Sequence, residues 1–142
     1  MKITKAITIP NWNDEARDTA IAYWQSRGIA FTDVSADRLT GKRGSVWGNM
    51  TSFDMSKLVA ILTINHVKDG EVICVLDVDT SFQAITEWNA AYWGLELDTF
   101  ESVLLHGDAR EQEWGEFQKN SRAAAWRWAL SFTLLGHKRG RL

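Results

Sequence analysis

The stretch 87–96 carries the residue types best suited to binding a ligand, because it combines indoles, an amide and carboxylates. Asn89, Trp93 and Glu96 recur at intervals of four and three residues, so in a helix they share one flank. Such a flank could hold the polar end of a ligand, and burial would suit the Glu96 carboxyl to general acid or base chemistry. The alternative is a solvent-facing rim in which Trp93 is only partly covered.

Charged and glycine-rich segments offer weaker candidates. Gly41, Gly44 and Gly48 match neither the Walker nor the dinucleotide-binding fingerprint. The run 42–45, Lys-Arg-Gly-Ser, could hold a phosphate or carboxylate through its guanidinium, amides and hydroxyl, although such a run is more often a solvated basic turn. Two acidic residues would share one strand face, either as a carboxylate pair or as charges that keep an edge strand soluble: Asp77 and Asp79.

The histidines and the single cysteine predict neither a metal site nor a nucleophile. None of the three histidines has a partner at a recognised metal-ligand spacing. Cys74 falls on the apolar side of a predicted hairpin, where it packs as a small core residue. We therefore assign no catalytic residue, no metal and no cofactor.

Eight tryptophans in 142 residues are the most unusual feature of the composition. Each indole carries an N–H that prefers a partner or water, so eight indoles cannot all be fully buried at low cost. Some should line a pocket, a subunit interface or a membrane interface. The predicted ligand-binding residues, packed around an apolar or planar ligand, are Trp47, Trp88, Asn89, Tyr92 and Trp93.

Length and charge restrict the class of protein. A chain of 142 residues corresponds to about one domain, which we expect to span 1–142. Hydrophobic residues at 45% and charged residues at 24% exclude a disordered or polytopic membrane protein. The net charge of −2 argues against a nucleic-acid partner bound by a general basic surface. One cysteine and a start without an apolar run favour a cytoplasmic location.

Hydrophobic periodicity predicts the elements in the order β-α-β-(β)-β-β-α-α. The first strand spans 3–9, and a helix over 14–27 begins at the N-cap Asn13. A second strand covers 29–34, and an optional third strand covers 37–42. The glycine-rich stretch that follows, 41–54, predicts turns that pack on the body through three residues: Trp47, Met50 and Phe53.

The clearest predicted element is a hairpin formed by 58–67 and 71–79. A two-residue Asp-Gly turn competes with a three-residue loop that has Gly70 in the left-handed conformation. The three-residue loop gathers nearly all apolar residues on one face, so we prefer that register. It pairs His66 with Val72, Ile64 with Cys74, Leu62 with Leu76, and Ala60 with Val78.

The opposite face of this hairpin is neither clearly polar nor clearly apolar. Ile61, Ile73 and Val75 point to that side and would be exposed to water unless something covers them. A second copy of the chain is one plausible cover, so we expect a homo-oligomer.

Two helices complete the chain. The first spans 86–106, with an apolar stripe through Tyr92 and Leu95 that leaves Trp93 and Leu97 off its centre. The second spans 108–135 and carries indoles at 126 and 128 ahead of a basic end, as an interfacial helix on anionic lipid would. A core helix with a basic C-terminus explains that segment as well.

These patterns predict an α+β domain with an antiparallel sheet of four to five strands and helices packed on one face. We expect a non-catalytic, self-associating domain, with homodimer as the simplest form. Its aromatic-lined pocket or surface would bind a small apolar or planar ligand or a protein partner. The alternatives are a peripheral membrane protein that uses the Trp/Arg-rich C-terminal helix, and a small enzyme with a carboxylate in the aromatic pocket.

Overall fold

A computed structural model describes residues 1–51, 54–68, 70–81, 87–108, 112–120 and 123 of the chain. The chain divides into two compact units, Met1–Arg110 and Glu111–Leu142. The first unit contains a sheet and three helices, and residues 112–120 of the second unit are helical. The assignment of 1–142 to a single domain stays a prediction.

Five antiparallel strands form one sheet in the first unit, in the order β1-β5-β4-β3-β2. The predicted α+β class is therefore confirmed, and the strand that the sequence left optional is present as β3. The strands are β1 (Lys2–Thr8), β2 (Ala30–Val34), β3 (Arg38–Arg43), β4 (Ala60–Val67) and β5 (Glu71–Val78).

The β4–β5 hairpin has the predicted register. Ile64 lies opposite Cys74, and Val67 pairs with Glu71, so the loop is the three residues 68–70. Gly70 has φ +77°, the left-handed conformation on which that loop depends. Four residues of this hairpin face are completely buried, as expected: Leu62, Ile64, Cys74 and Leu76.

The helices α1 (Asp14–Ser26) and α3 (Glu87–His106) cover the buried face of the sheet. The Asn13 side chain accepts a hydrogen bond from the Ala16 N–H at 2.9 Å, which confirms the predicted cap of α1. Lys5, which is paired with Cys74 on the buried face, donates to Asp98 and contacts the Glu101 carboxylate of α3. The helices contact each other and this face, as predicted.

The predicted turns over 41–54 are wrong at both 41–43, where β3 continues to Arg43, and 46–51, where a short helix α2 (Val46–Thr51) forms; a 3-10 turn (Met55–Lys57) follows. The expected packing of Trp47 and Met50 on the body is also wrong: they are 75% and 59% exposed. Phe53 lies outside the described residues.

The packed side of α2 is its polar side. Asn49 is buried, accepts from the Val59 N–H at 2.8 Å and donates to the Asp79 carbonyl at 3.3 Å. A Cβ on Gly48 would lie 2.5 Å from the Lys57 carbonyl oxygen, so the backbone of α2 approaches the 3-10 turn closely there. The apolar side chains of α2 consequently face outward.

The buried face of α3 is rotated from the predicted stripe. Trp93 and Leu97 were expected off its centre, yet they are 0% and 1% exposed, whereas Leu95 is only half-buried. The predicted stripe was misplaced because of Glu96. A hydrophobicity pattern predicts that a carboxylate faces water, yet Glu96 is fully buried. Tyr92 is buried, as predicted.

Candidate functional site

The predicted ligand-binding residues lie in two different environments. Trp47 is largely exposed on α2, whereas Tyr92 and Trp93 are buried on α3. Trp88 and Asn89 belong to α3, but their side chains lie outside the described residues. The ligand-binding role of these five residues stays a prediction.

A buried ion pair joins the sheet to α3. Arg43 stands on the helix-covered face at the end of β3, and its Nη2 lies 2.7 Å from Glu96 Oε2 while its Nη1 donates to Oε1. Their side chains are 2% and 0% exposed. Two parallel charge-assisted hydrogen bonds of this kind fix both distance and orientation. Burial alone would lower the pKa of Arg43, but the hydrogen bonds and charge of Glu96 outweigh burial and raise it.

Aromatic and cationic groups of α1 surround this ion pair. Arg43 Nη1 also donates to the Arg27 carbonyl at 3.1 Å, and the Tyr23 hydroxyl donates to the Glu96 main-chain carbonyl at 2.8 Å. The Arg27 guanidinium carbon lies 5.2 Å from the centre of the Tyr23 ring. Burial raises the pKa of Tyr23, so its phenol stays neutral in the folded protein. We call Tyr23, Arg27, Arg43 and Glu96 the buried polar cluster.

The buried polar cluster is built to hold elements together. Both carboxylate oxygens of Glu96 accept from Arg43, so the carboxylate is committed to the ion pair. Trp93 and Glu96 do not form a solvent-facing rim, because both are fully buried. Arg43 likewise does not belong to a solvated basic turn.

Sequence reasoning missed the ion pair, although period-2 alternation carried a signal for one partner. Leu39, Gly41 and Arg43 fall on the same strand face, and the first two are buried there. The signal for Glu96 is its place among Trp93, Leu97 and Phe100, all buried at neighbouring positions of α3.

Cysteine and acidic residues of β5 have separate roles. Cys74 is a buried core residue, as predicted, and burial raises the pKa of its thiol. The interpretation of Asp77 and Asp79 as charges on an edge strand is wrong, because β5 lies between β1 and β4. Within the described residues, no group of three or more histidine, cysteine or acidic side chains could hold a metal ion.

The sheet has a second face, which α1 and α3 do not cover and which we call the open face. Its side chains alternate along each strand with the buried ones such as Leu62 and Cys74. Ile61 is 50% exposed there, and Ile73 and Val75 are partly exposed. The other open-face residues on the four long strands are Lys2, Thr4, Ala6, Thr8, Arg38, Thr40, Lys42, Thr63, Asn65, Val67, Glu71 and Asp77.

The centre of the open face is uncharged. Val75 stands between Thr4 on β1 and Thr63 on β4, and the next level along the strands places Ile73 between Ala6 and Asn65. Small and β-branched side chains in adjacent strands form a surface against which another sheet can pack.

The two strands that flank β4 carry opposite charges on the open face, and the outer strands add Lys2 on β1 and Asp33 on β2. The acidic residues Asp77 and Glu71 lie on β5, and the basic residues Lys42 and Arg38 lie on β3. Asp77 and Lys42 stand on opposite sides of Ile61 at the same level of the sheet. The uncharged open-face residues of β4 thus separate an acidic strand, β5, from a basic strand, β3.

Membrane association through the C-terminal helix stays a prediction, because residues 124–142 lie outside the described part of the chain. Among the helices that are described, none has the length and apolar character needed to cross a membrane.

Comparison with known proteins finds no matching family model, no similar curated protein and no similar solved structure.

Proposed function

We propose that this chain is a self-associating domain and that a second copy covers the open face of its sheet. The observation that carries this proposal is the uncharged, partly exposed centre of that face, around Ile61, Ile73 and Val75. A surface of this composition on a soluble domain is typical of an interaction site, because leaving apolar side chains exposed to water is unfavourable.

The size of the open face suits a homodimer. β4 and β5 have eight residues each, and at about 3.4 Å per residue and about 4.8 Å between five strands the face measures roughly 27 by 19 Å. The projected area is then about 500 Å², and the side chains that rise from it expose more. A typical stable interface buries about 800 Å² of accessible surface on each partner.

Face-to-face sheet packing would also account for a sheet that α1 and α3 cover on one side alone. Two antiparallel sheets pack about 10 Å apart when small and branched side chains alternate on their inner faces. Thr63 and Val75 provide that surface at the middle of β4 and β5. A charged side chain introduced there would be buried without a partner in the dimer.

The test compares a central substitution with a matched substitution elsewhere. Val75→Arg and Thr63→Arg each place a guanidinium at the centre of the open face, and Gln25→Arg places one on the exposed surface of α1. We expect multi-angle light scattering to show dimers for the unmodified chain and for Gln25→Arg, and monomers for both open-face variants. Circular dichroism should show that both open-face variants are folded. A monomeric unmodified chain at the highest concentration reached would refute self-association.

A further inference from the structure

We infer that the two copies are related by a two-fold axis that runs along β4, so that β5 of each copy lies across β3 of the other. This inference rests on the self-association proposed above and specifies its geometry. It is carried by an independent observation, the opposite charges that β5 and β3 present on the open face.

The register of the sheet fixes which charges meet. Asp77 and Lys42 flank Ile61 at one level, so rotation about an axis along β4 brings Asp77 of one copy opposite Lys42 of the other. The symmetry repeats the contact, which gives two pairs of opposite charge. Within one sheet, Glu71 is level with Val67, and Arg38 is level with Asn65 on the adjacent level. Across the interface, Arg38 and Glu71 of the other copy are therefore one level apart along the strands, a separation that an arginine side chain spans.

The other two-fold arrangement of the same faces opposes like charges. An axis that crosses the strands would place β5 over β5 and β3 over β3 and would reverse the strand direction. Asp77 would then approach Glu71 of the other copy, and Lys42 would approach Arg38. Like charges across an interface disfavour a complex, so the charge pattern selects the axis along β4.

The Asp77 carboxylate is accessible for a contact with a second copy. Its side chain is 50% exposed, and its cationic neighbours in the same chain lie at the edge of ion-pair range: Lys2 Nζ at 3.9 Å and the terminal amine at 4.0 Å. A carboxylate has four lone-pair positions, so these distant neighbours leave room for Lys42 of the partner. Lys42 is exposed on the open face.

Charge reversal distinguishes this geometry from self-association in general. Asp77→Lys places lysine opposite lysine twice, and Lys42→Glu places glutamate opposite aspartate twice. We expect each variant alone to raise the dimer dissociation constant roughly tenfold relative to the unmodified chain. In an equimolar mixture every contact again joins opposite charges, so we expect native mass spectrometry to show a heterodimer in preference to either homodimer.

Two further variants complete the test. Asp77→Lys/Lys42→Glu exchanges both charges and should restore the homodimer, whereas Asp18→Lys, the same change on the exposed surface of α1, should leave it unchanged. If the unmodified chain dimerises but the mixture and the double variant do not recover, the geometry is wrong and self-association stands. If the unmodified chain is monomeric, the proposed function fails first.

Discussion

Arg43 and Glu96 form a bidentate ion pair that joins the end of β3 to the middle of α3 across 53 positions of sequence. Both side chains are almost completely buried. Taking two charges out of water is costly, and the two short hydrogen bonds offset that cost only while both partners are present. The pair therefore specifies how α3 lies on the sheet more than it adds to stability.

Removing one partner of this pair should destabilise the protein strongly. We expect Glu96→Gln and Arg43→Met each to lower the free energy of unfolding by about 3–5 kcal/mol, because either change leaves a buried group without its charged partner. The double variant Arg43→Met/Glu96→Met should lose much less than the sum. Urea denaturation followed by circular dichroism measures all three.

A more exposed ion pair provides the control. Asp98, which accepts from Lys5, has a side chain that is 56% exposed. Asp98→Asn should cost less than about 1 kcal/mol. The interpretation of Arg43 and Glu96 would be wrong if Glu96→Gln cost no more than Asp98→Asn.

Alkaline pH should destabilise the protein through Cys74. Burial raises the pKa of this thiol above its usual value of 9.0, so above that pH the unfolded chain loses a proton that the folded chain keeps. The folded state then binds more protons than the unfolded state, and stability falls with a slope that grows from about 0.7 kcal/mol per pH unit at pH 9 towards about 1.4 kcal/mol per pH unit at pH 10. We expect this slope between about pH 9 and 10 in the unmodified chain and its loss in Cys74→Ala, measured by denaturation at each pH. Equal slopes would contradict the burial of the thiol.

Two glycines with the same backbone conformation should respond very differently to alanine. Gly28 and Gly44 have φ +83° and +80°, but a Cβ on Gly28 would meet nothing within 4 Å, whereas one on Gly44 would lie 2.3 Å from the Leu58 carbonyl oxygen. Gly28→Ala should therefore cost only the backbone strain, about 1–2 kcal/mol. Gly44→Ala adds a backbone clash and should cost clearly more, as thermal denaturation would show. Similar melting temperatures would mean that the backbone at Gly44 does not approach Leu58 so closely.

Trp24 and Trp47 should differ sharply in how much they contribute to the free energy of unfolding. Trp24 is fully buried, and the centre of its ring lies 5.2 Å from that of Tyr23 and 5.3 Å from that of Phe100. Trp24→Ala should therefore lower the free energy of unfolding by about 3–5 kcal/mol. Trp47 is 75% exposed, and Trp47→Ala should change stability by less than about 0.5 kcal/mol. Urea denaturation of both variants provides the comparison, and a large loss in Trp47→Ala would place that indole in a packed environment.

Local patterns were sufficient to predict most of the fold. The cap at Asn13 and the hairpin register with Ile64 opposite Cys74 depend on residues close in sequence, and the structure confirms both. A one-residue slip of the hairpin would have moved every apolar side chain to the wrong face, so the alternation of apolar residues determines the register.

The packing around Arg43 and Glu96 was not predictable in the same way. Each residue is charged, and a charged residue is expected on the surface unless a partner compensates it. The partner lies on another element, so no local window contains the pair. The outward side of α2 was missed for a related reason: Asn49 is buried by hydrogen bonds to Val59 and Asp79, which the pattern around it does not show.

The strand order also has a consequence for how the chain acquires its structure. β2, β3 and β4 each pair with the next strand in sequence, whereas β1 pairs with β5, and the Met1 amine donates to the Val78 carbonyl 77 positions away. Closing that long loop costs more chain entropy than forming any hairpin of the meander. We therefore expect β1 to be the last strand to join the sheet and its docking to limit the rate of refolding.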